Sequence, residues 1–162
     1  MNVESRPKIV GAAVQRVEDP RLLAGRGQFI DDISLPRMLH VAFLRSDHAH
    51  ANIINIETTE AANMAGVAGI FTAEDLTDDF KPIRATSHMA NYHSTEMSVL
   101  ARGKVRFVGE AVVAVAATSR YVAEDAVERI TVEYDPLEDA IDPIANIKDG
   151  SPLLPEETGT NV

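Results

Sequence analysis

The chain has 162 residues, 45% hydrophobic and 25% charged, a globular composition long enough for one domain with its own core and unlike disordered, collagen-like or coiled-coil sequences. Fifteen basic against 25 acidic residues give a net charge of −10, which repels polyphosphate and anionic headgroups, so neither nucleic acid nor membrane is expected as a partner. The absence of cysteine excludes a disulfide framework, a cysteine-ligated cluster and a thiolate zinc site from these residues. No apolar run approaches the ~20 residues that span a bilayer and the start lacks a signal peptide, so a soluble, cytoplasmic protein is expected.

The first thirty residues have no sustained period and carry five basic and three acidic groups. Pro7, Gly11, Pro20, Gly25 and Gly27 punctuate them, which predicts an extended arm over residues 1–30 with a short helix near Pro20 to Leu23. From Met38 to Arg45, Leu39, Val41 and Phe43 alternate with His40, Ala42 and Leu44, as in a strand buried more on one face. A second strand is expected over Asn52 to Ile56, joined to the first as a hairpin through a Ser46 to His50 loop. Thr58 or Thr59 can cap a helix over Glu60 to Ala65, with Gly66 in the left-handed position at its end. Strand Val67 to Phe71 follows, and Thr72 and Asp75 have the spacing of a capping box.

Residues 77–98 are polar and aperiodic, and a long exposed loop is predicted there. Strand Val105 to Val108, a Gly109-Glu110 break, the apolar strand Ala111 to Ala117 and a helix from Thr118 come next. In that helix Ala123, Ala126, Val127 and Ile130 make one apolar stripe. Strand Ile130 to Tyr134 completes a strand, helix, strand succession, read as a right-handed crossover burying Ala111 to Ala117 on both faces. Residues 133–157 hold eight acidic groups and only Lys148, with Pro136, Pro143, Pro152 and Pro155. The chain is expected to continue past Val162.

Each candidate for chemistry has a plainer structural reading. His48 and His50 form an H-x-H pair that can bind a metal from one strand face, yet no third ligand stands at a recognised spacing, so a structural loop is favoured. His88 and His93 lie five apart in the long loop and are weaker still. Gly25-Arg26-Gly27 lacks the third glycine of a dinucleotide fingerprint, Ile30 standing there, and Gly150-Ser151-Pro152 is not a nucleophile elbow. Both are expected to form turns. Asp31-Asp32, Asp78-Asp79 and Glu156-Glu157 are adjacent pairs whose side chains diverge, which favours solvated surface. Glu110, at the mouth of a buried strand, can serve as an acid or base in a cleft. The favoured alternative is a bulge with Glu110 in solvent or paired to Arg106 or Lys104, and Gly109 at a bend. No catalytic, cofactor-binding or metal-ligating residue is assigned.

Seven collinear strings carry a resemblance: Arg16 to Ile33 (Arg-Val-Glu-Asp-Pro-Arg at its start), Leu44 to Ala51, Gly66-Val67, Ala73 to Leu76, Val105 to Glu110, Ala123 to Ala126 and Val132 to Leu137. Together they resemble the start of the large, molybdopterin-binding subunit of molybdenum hydroxylases, the xanthine dehydrogenase and aldehyde oxidase family, and most of all its carbon monoxide dehydrogenase branch. Asp47 and Ala111 depart from it, standing where the family commonly has proline. The resemblance implies an α+β fold, the α/β hammerhead, a mixed sheet with a few helices, over residues 31–145. Residues 146–162 would be a linker towards molybdopterin-binding domains of the same subunit. It implies a scaffold or interface role in an oxidoreductase acting on a substrate such as carbon monoxide, an aldehyde or a heteroaromatic ring, with no activity in these residues alone. The molybdopterin-type molybdenum cofactor would sit in the full-length subunit, and the iron–sulfur and FAD groups in an iron–sulfur subunit and a flavin subunit. The basic arm and the Arg45 to His50 loop (Arg-Ser-Asp-His-Ala-His) are the segments expected at such an interface. The alternative from another class is a free-standing hammerhead-like binding module.

Overall fold

The computed structural model describes residues 10–76, 80–154 and 156–161. The chain divides into two compact units, Met1–Pro36 and Arg37–Val162. In the first, helix α1 (Asp19–Leu23) carries Pro20 in its opening turn, where a missing N–H leaves no hydrogen bond unmade. Gly25 ends it at φ +67°, and the Arg26 N–H donates back to the Arg21 carbonyl at 3.0 Å. That left-handed C-terminal turn is the role expected of Gly25-Arg26-Gly27.

The second unit is built from two three-stranded sheets and a two-stranded ribbon, all with antiparallel pairing. Strands β1 (His40–Arg45), β2 (Ala51–Glu57) and β3 (Val67–Phe71) come first, then ribbon strands β4 (Ile83–Arg84) and β5 (Glu96–Met97), then β6 (Lys104–Val105), β7 (Ala111–Ala117) and β8 (Thr131–Pro136). One sheet runs β1-β7-β3 and the other β6-β2-β8. Helix α2 (Thr59–Ala62) precedes β3, and helix α3 (Arg120–Val127) packs on β1 and β7. Sheets with a few short helices are the α+β class expected.

Two expected connections are corrected. β1 and β2 are not a hairpin, because β1 pairs with β7 and β2 with β8; the Ser46 to His50 loop carries the chain from one sheet to the other. β7 and β8 likewise lie in different sheets, so α3 bridges two sheets and is not a crossover within one. β7 is still the most buried strand, with Val112, Val113, Val115 and Ala117 fully buried, because it is the central strand of its sheet. These valines join Ala51, Val105, Ala126 and Ile130 in one core to which both sheets contribute. The stripe predicted for α3 is present, with Ala123 and Ala126 fully buried.

Helix starts and the long loop also differ in detail. The expected threonine cap of α2 is absent: Thr58 occupies the cap position without a side-chain bond, and the Glu57 carboxylate accepts the Thr59 N–H at 2.8 Å instead. That helix ends at Ala62 and not Ala65, with Gly66 beyond it at φ +94°. α3 is capped by Ser119, whose Oγ accepts the Val122 N–H at 3.2 Å. In the Thr72 to Asp75 turn the Asp75 carboxylate accepts both the Thr72 N–H, at 2.7 Å, and its hydroxyl, at 2.9 Å. These bonds, the backbone one foremost, hold the Asp75 pKa below its ordinary value. Within residues 80–98, expected to lack elements, β4 and β5 pair through Ile83↔Met97 and Arg84↔Glu96, and Arg84 and Glu96 form an ion pair. The strand expected over Val105 to Val108 is shorter, Lys104–Val105.

Candidate functional site

The segments singled out from sequence meet where the Ser46 to His50 loop crosses the turn before β7. Gly109 has φ +92° with nothing within 4 Å of a Cβ built on it, so its glycine serves backbone conformation and not close approach. The turn is laced to the loop. Gly109 N–H donates to the Ser46 carbonyl at 2.8 Å, Ser46 N–H donates to the Glu110 carbonyl at 2.9 Å, and the Arg45 guanidinium donates to the Gly109 carbonyl at 2.9 Å. Ser46 is buried, and its Oγ accepts the His48 N–H and donates to the His48 carbonyl, both at 3.0 Å.

Glu110 is half-buried, and its carboxylate accepts the Arg106 backbone N–H at 2.6 Å, closing the turn. That corrects the expected pairing with the charged ends of Arg106 or Lys104. Those side chains turn to Glu156: Lys104 Nζ pairs with Oε1, and Arg106 Nη2 lies 3.6 Å from Oε2. The hydrogen bond from Lys104, then its charge and that of Arg106, hold the Glu156 carboxyl below its ordinary pKa. Glu156 is thus a tie between the tail and the body, not idle surface. Glu110, Arg106, Arg102, Phe107, Met97 and Leu154 line an open cleft of about 460 Å³.

The H-x-H pair is divided between two structural tasks. His48 packs its ring against Tyr134, centroids 4.7 Å apart and tilted by 53°. His50 is buried, with Nδ1 2.6 Å from the Glu138 carbonyl, while its own carbonyl accepts the Leu137 N–H at 2.9 Å. The loop is therefore sewn to the end of β8. Tyr134 has its pKa raised, mainly by burial and further by the Asp47 and Glu110 carboxylates, with a Ser46 hydrogen bond acting the other way. Sequence reading missed Ser46 and Tyr134; the signal was a polar residue and an aromatic at a strand terminus, ambiguous without the fold.

The other candidates stay apart from this junction. His88 and His93 are exposed between β4 and β5. Asp32 accepts the Phe29 N–H at 2.9 Å in the first unit, while Asp78-Asp79 lies outside the described residues. Gly150 has φ +87° and the Ser151 hydroxyl donates to the Ala145 carbonyl at 3.1 Å, a turn as expected. Among the described residues no group of three or more His, Asp or Glu side chains is placed to hold a metal ion. The junction's hydrogen bonds tie the loop, the turn before β7 and the end of β8 together.

Comparison with known proteins gives the same fold. Residues 24–138 match the family model described as aldehyde oxidase and xanthine dehydrogenase, a/b hammerhead domain. The carbon monoxide dehydrogenase large chain of Afipia carboxidovorans is 40% identical over 148 residues, 91% of this chain and 18% of that protein. The crystal structure of quinoline 2-oxidoreductase from Pseudomonas putida 86 superposes with a TM-score of 0.74 at 44% identity, covering 79% of this chain and 16% of that one. A Cu,Mo-containing carbon monoxide dehydrogenase in its carbon monoxide reduced state gives a TM-score of 0.78 at 37% identity, covering 91% and 18%. The chain thus spans less than a fifth of these relatives' own length.

Proposed function

Because this chain belongs to the aldehyde oxidase and xanthine dehydrogenase family, we propose that it is the hammerhead scaffold domain of a molybdenum-dependent hydroxylase or dehydrogenase subunit and carries no catalytic group itself. The observation that carries this reading is a hammerhead match over residues 24–138 in a chain spanning 18% of a related large chain. Molybdopterin-type chemistry then belongs to domains of the same subunit outside these residues, acting on carbon monoxide, an aldehyde or a heteroaromatic ring. Electrons leave through an iron–sulfur subunit and a flavin subunit in the cytoplasm. Residues 1–30 act as an arm, 31–145 as the hammerhead and 146–162 as the connection onward. Within the described residues no helix is long and apolar enough to cross a membrane.

The chemistry of the junction fits a scaffold. Its hydrogen bonds join the Ser46 to His50 loop, the Gly109 turn and the end of β8, the arrangement wanted where a domain must hold a fixed shape for its neighbours. Purification of the natural-length subunit from its host through a mild affinity tag tests the reading. Two further chains bearing iron–sulfur and flavin absorbance are expected to copurify. A subunit that elutes alone and colourless at native expression levels contradicts it, and a product ending at Val162 favours the free-standing binding module.

A further inference from the structure

The β1-β7-β3 sheet turns an apolar face to solvent. Its register places Phe43 and Phe71 on either side of Ala114, and Val41 and Gly69 on either side of Ala116. Val41 is 55% exposed, and Phe43 and Phe71 are each 43% exposed. With strands about 4.8 Å apart, β1 and β3 lie roughly 10 Å apart across β7, with alanines between them, a span that admits one apolar side chain. Gly69 makes room for the Phe71 ring, which would lie 3.0 Å from a Cβ there. None of these six residues is charged, in a chain of net charge −10. Arg45 closes one end with its guanidinium 5.6 Å from the Phe43 ring centroid.

We propose that this face is covered by the remainder of the same subunit, through an uncharged, apolar segment that places a side chain between Phe43 and Phe71. The proposal rests on the reading that these residues are one domain of a longer subunit. Size and chemistry select that occupant. Three strands over five residues offer on the order of 250 Å², far below the ~800 Å² per partner of a stable interface between separate chains. A segment joined covalently escapes most of the entropic cost of association, so a patch too small to hold a free partner is adequate for it. The absence of charge fits a permanent contact, since transient partners meet through more polar surfaces.

Thiol labelling of the natural-length subunit tests this, because the present residues contain no native cysteine and peptide mass locates the label. Val41→Cys and Ala116→Cys report on the face, and Tyr121→Cys, at a 78% exposed position of α3, is the solvent control. Labelling of the two face positions is expected to be at least about ten-fold slower than at Tyr121→Cys in the subunit alone, independent of protein concentration. Rates equal to the control overturn the proposal. So does protection that fades on dilution, which indicates a second copy, that appears only with partner subunits, or that vanishes on removing residues 1–36. Molybdenum content of the same sample separates the two inferences. Reactive thiols in a molybdenum-bearing subunit overturn the face assignment alone, and protected thiols in a molybdenum-free subunit overturn the reading beneath it.

Discussion

Gly66 and Gly109 have nearly the same backbone, φ +94° and φ +92°, but different surroundings, and substituting alanine at each separates conformational strain from crowding. A Cβ at Gly66 would lie 2.8 Å from Thr118 Oγ1 and 3.4 Å from Val122 Cγ1, whereas one at Gly109 meets nothing within 4 Å. The left-handed backbone costs an L-residue roughly 1 to 2 kcal/mol, and overpacking typically adds about 1 to 3 kcal/mol. Reduced entropy of the unfolded chain offsets about 0.4 to 1 kcal/mol of this. Gly66→Ala is therefore expected to lower stability by about 2 to 4 kcal/mol and Gly109→Ala by about 1 kcal/mol or less. The Gly66 turn between α2 and β3 is also tied to the end of β7, because the Thr118 N–H donates to the Gly66 carbonyl at 2.9 Å. Urea denaturation with an unchanged slope measures both losses. In a Thr118→Ala background the crowding is relieved, and the Gly66→Ala loss should fall by about 1 to 2 kcal/mol, a coupling that Gly109→Ala should not show. Equal losses at the two glycines, or no coupling to Thr118, would refute the assignment of the difference to packing.

At Gly109 a β-branched side chain is worse than alanine, so Gly109→Val is expected to lower the urea midpoint by the equivalent of about 1 to 3 kcal/mol; an unchanged midpoint would show that the turn relaxes freely. Ser119→Ala removes the α3 cap seen in the bond to the Val122 N–H and should lower stability by about 1 kcal/mol, with Ser119→Asp restoring most of it. The depressed Glu156 pKa gives a stabilisation present above the ordinary carboxylate range and lost as pH falls through it. The stability difference between wild type and Glu156→Gln should thus shrink between about pH 5 and pH 3, and a difference flat across that range counts against the Lys104 tie.

What the sequence made legible was periodicity, and what it concealed was partnership. The continuous apolar run Ala111 to Ala117 and the stripe Ala123, Ala126, Val127, Ile130 report burial directly, and β7 and α3 lie where they indicate. The alternation of β1 was equally visible, yet its more buried side is His40, Ala42 and Leu44, while Leu39, Val41 and Phe43 face out. Hydrophobicity alone does not decide which side of such a strand is buried. Adjacent strands separated by a short loop read as a hairpin, and nothing local shows that the Ser46 hydrogen bonds turn the chain into a second sheet. Glu156 looked like surface because its partners Lys104 and Arg106 lie about fifty residues earlier, a distance that only tertiary folding closes. Asn161 is similar: its amide donates to the Asn146 and Pro152 carbonyls at 2.9 and 2.8 Å, pinning a tail that reads as a plain linker. The Gly109-Glu110 break was legible as a bend because glycine beside a lone charge between apolar strands has few other uses.

Molybdenum content and turnover, measured side by side on the natural-length subunit with its partner chains and on residues 1–162 alone, bear on the scaffold assignment itself. About one molybdenum per subunit is expected in the complex, with reduction of an acceptor dye by at least one of carbon monoxide, an aldehyde or a nitrogen heteroaromatic. Residues 1–162 are expected to hold no stoichiometric molybdenum and to reduce no dye, because the proposed reading puts the groups that stabilise a metal-centred transition state in domains outside these residues. Dye reduction by residues 1–162 alone, or a complex that reduces dye with no molybdenum in it, would contradict that assignment.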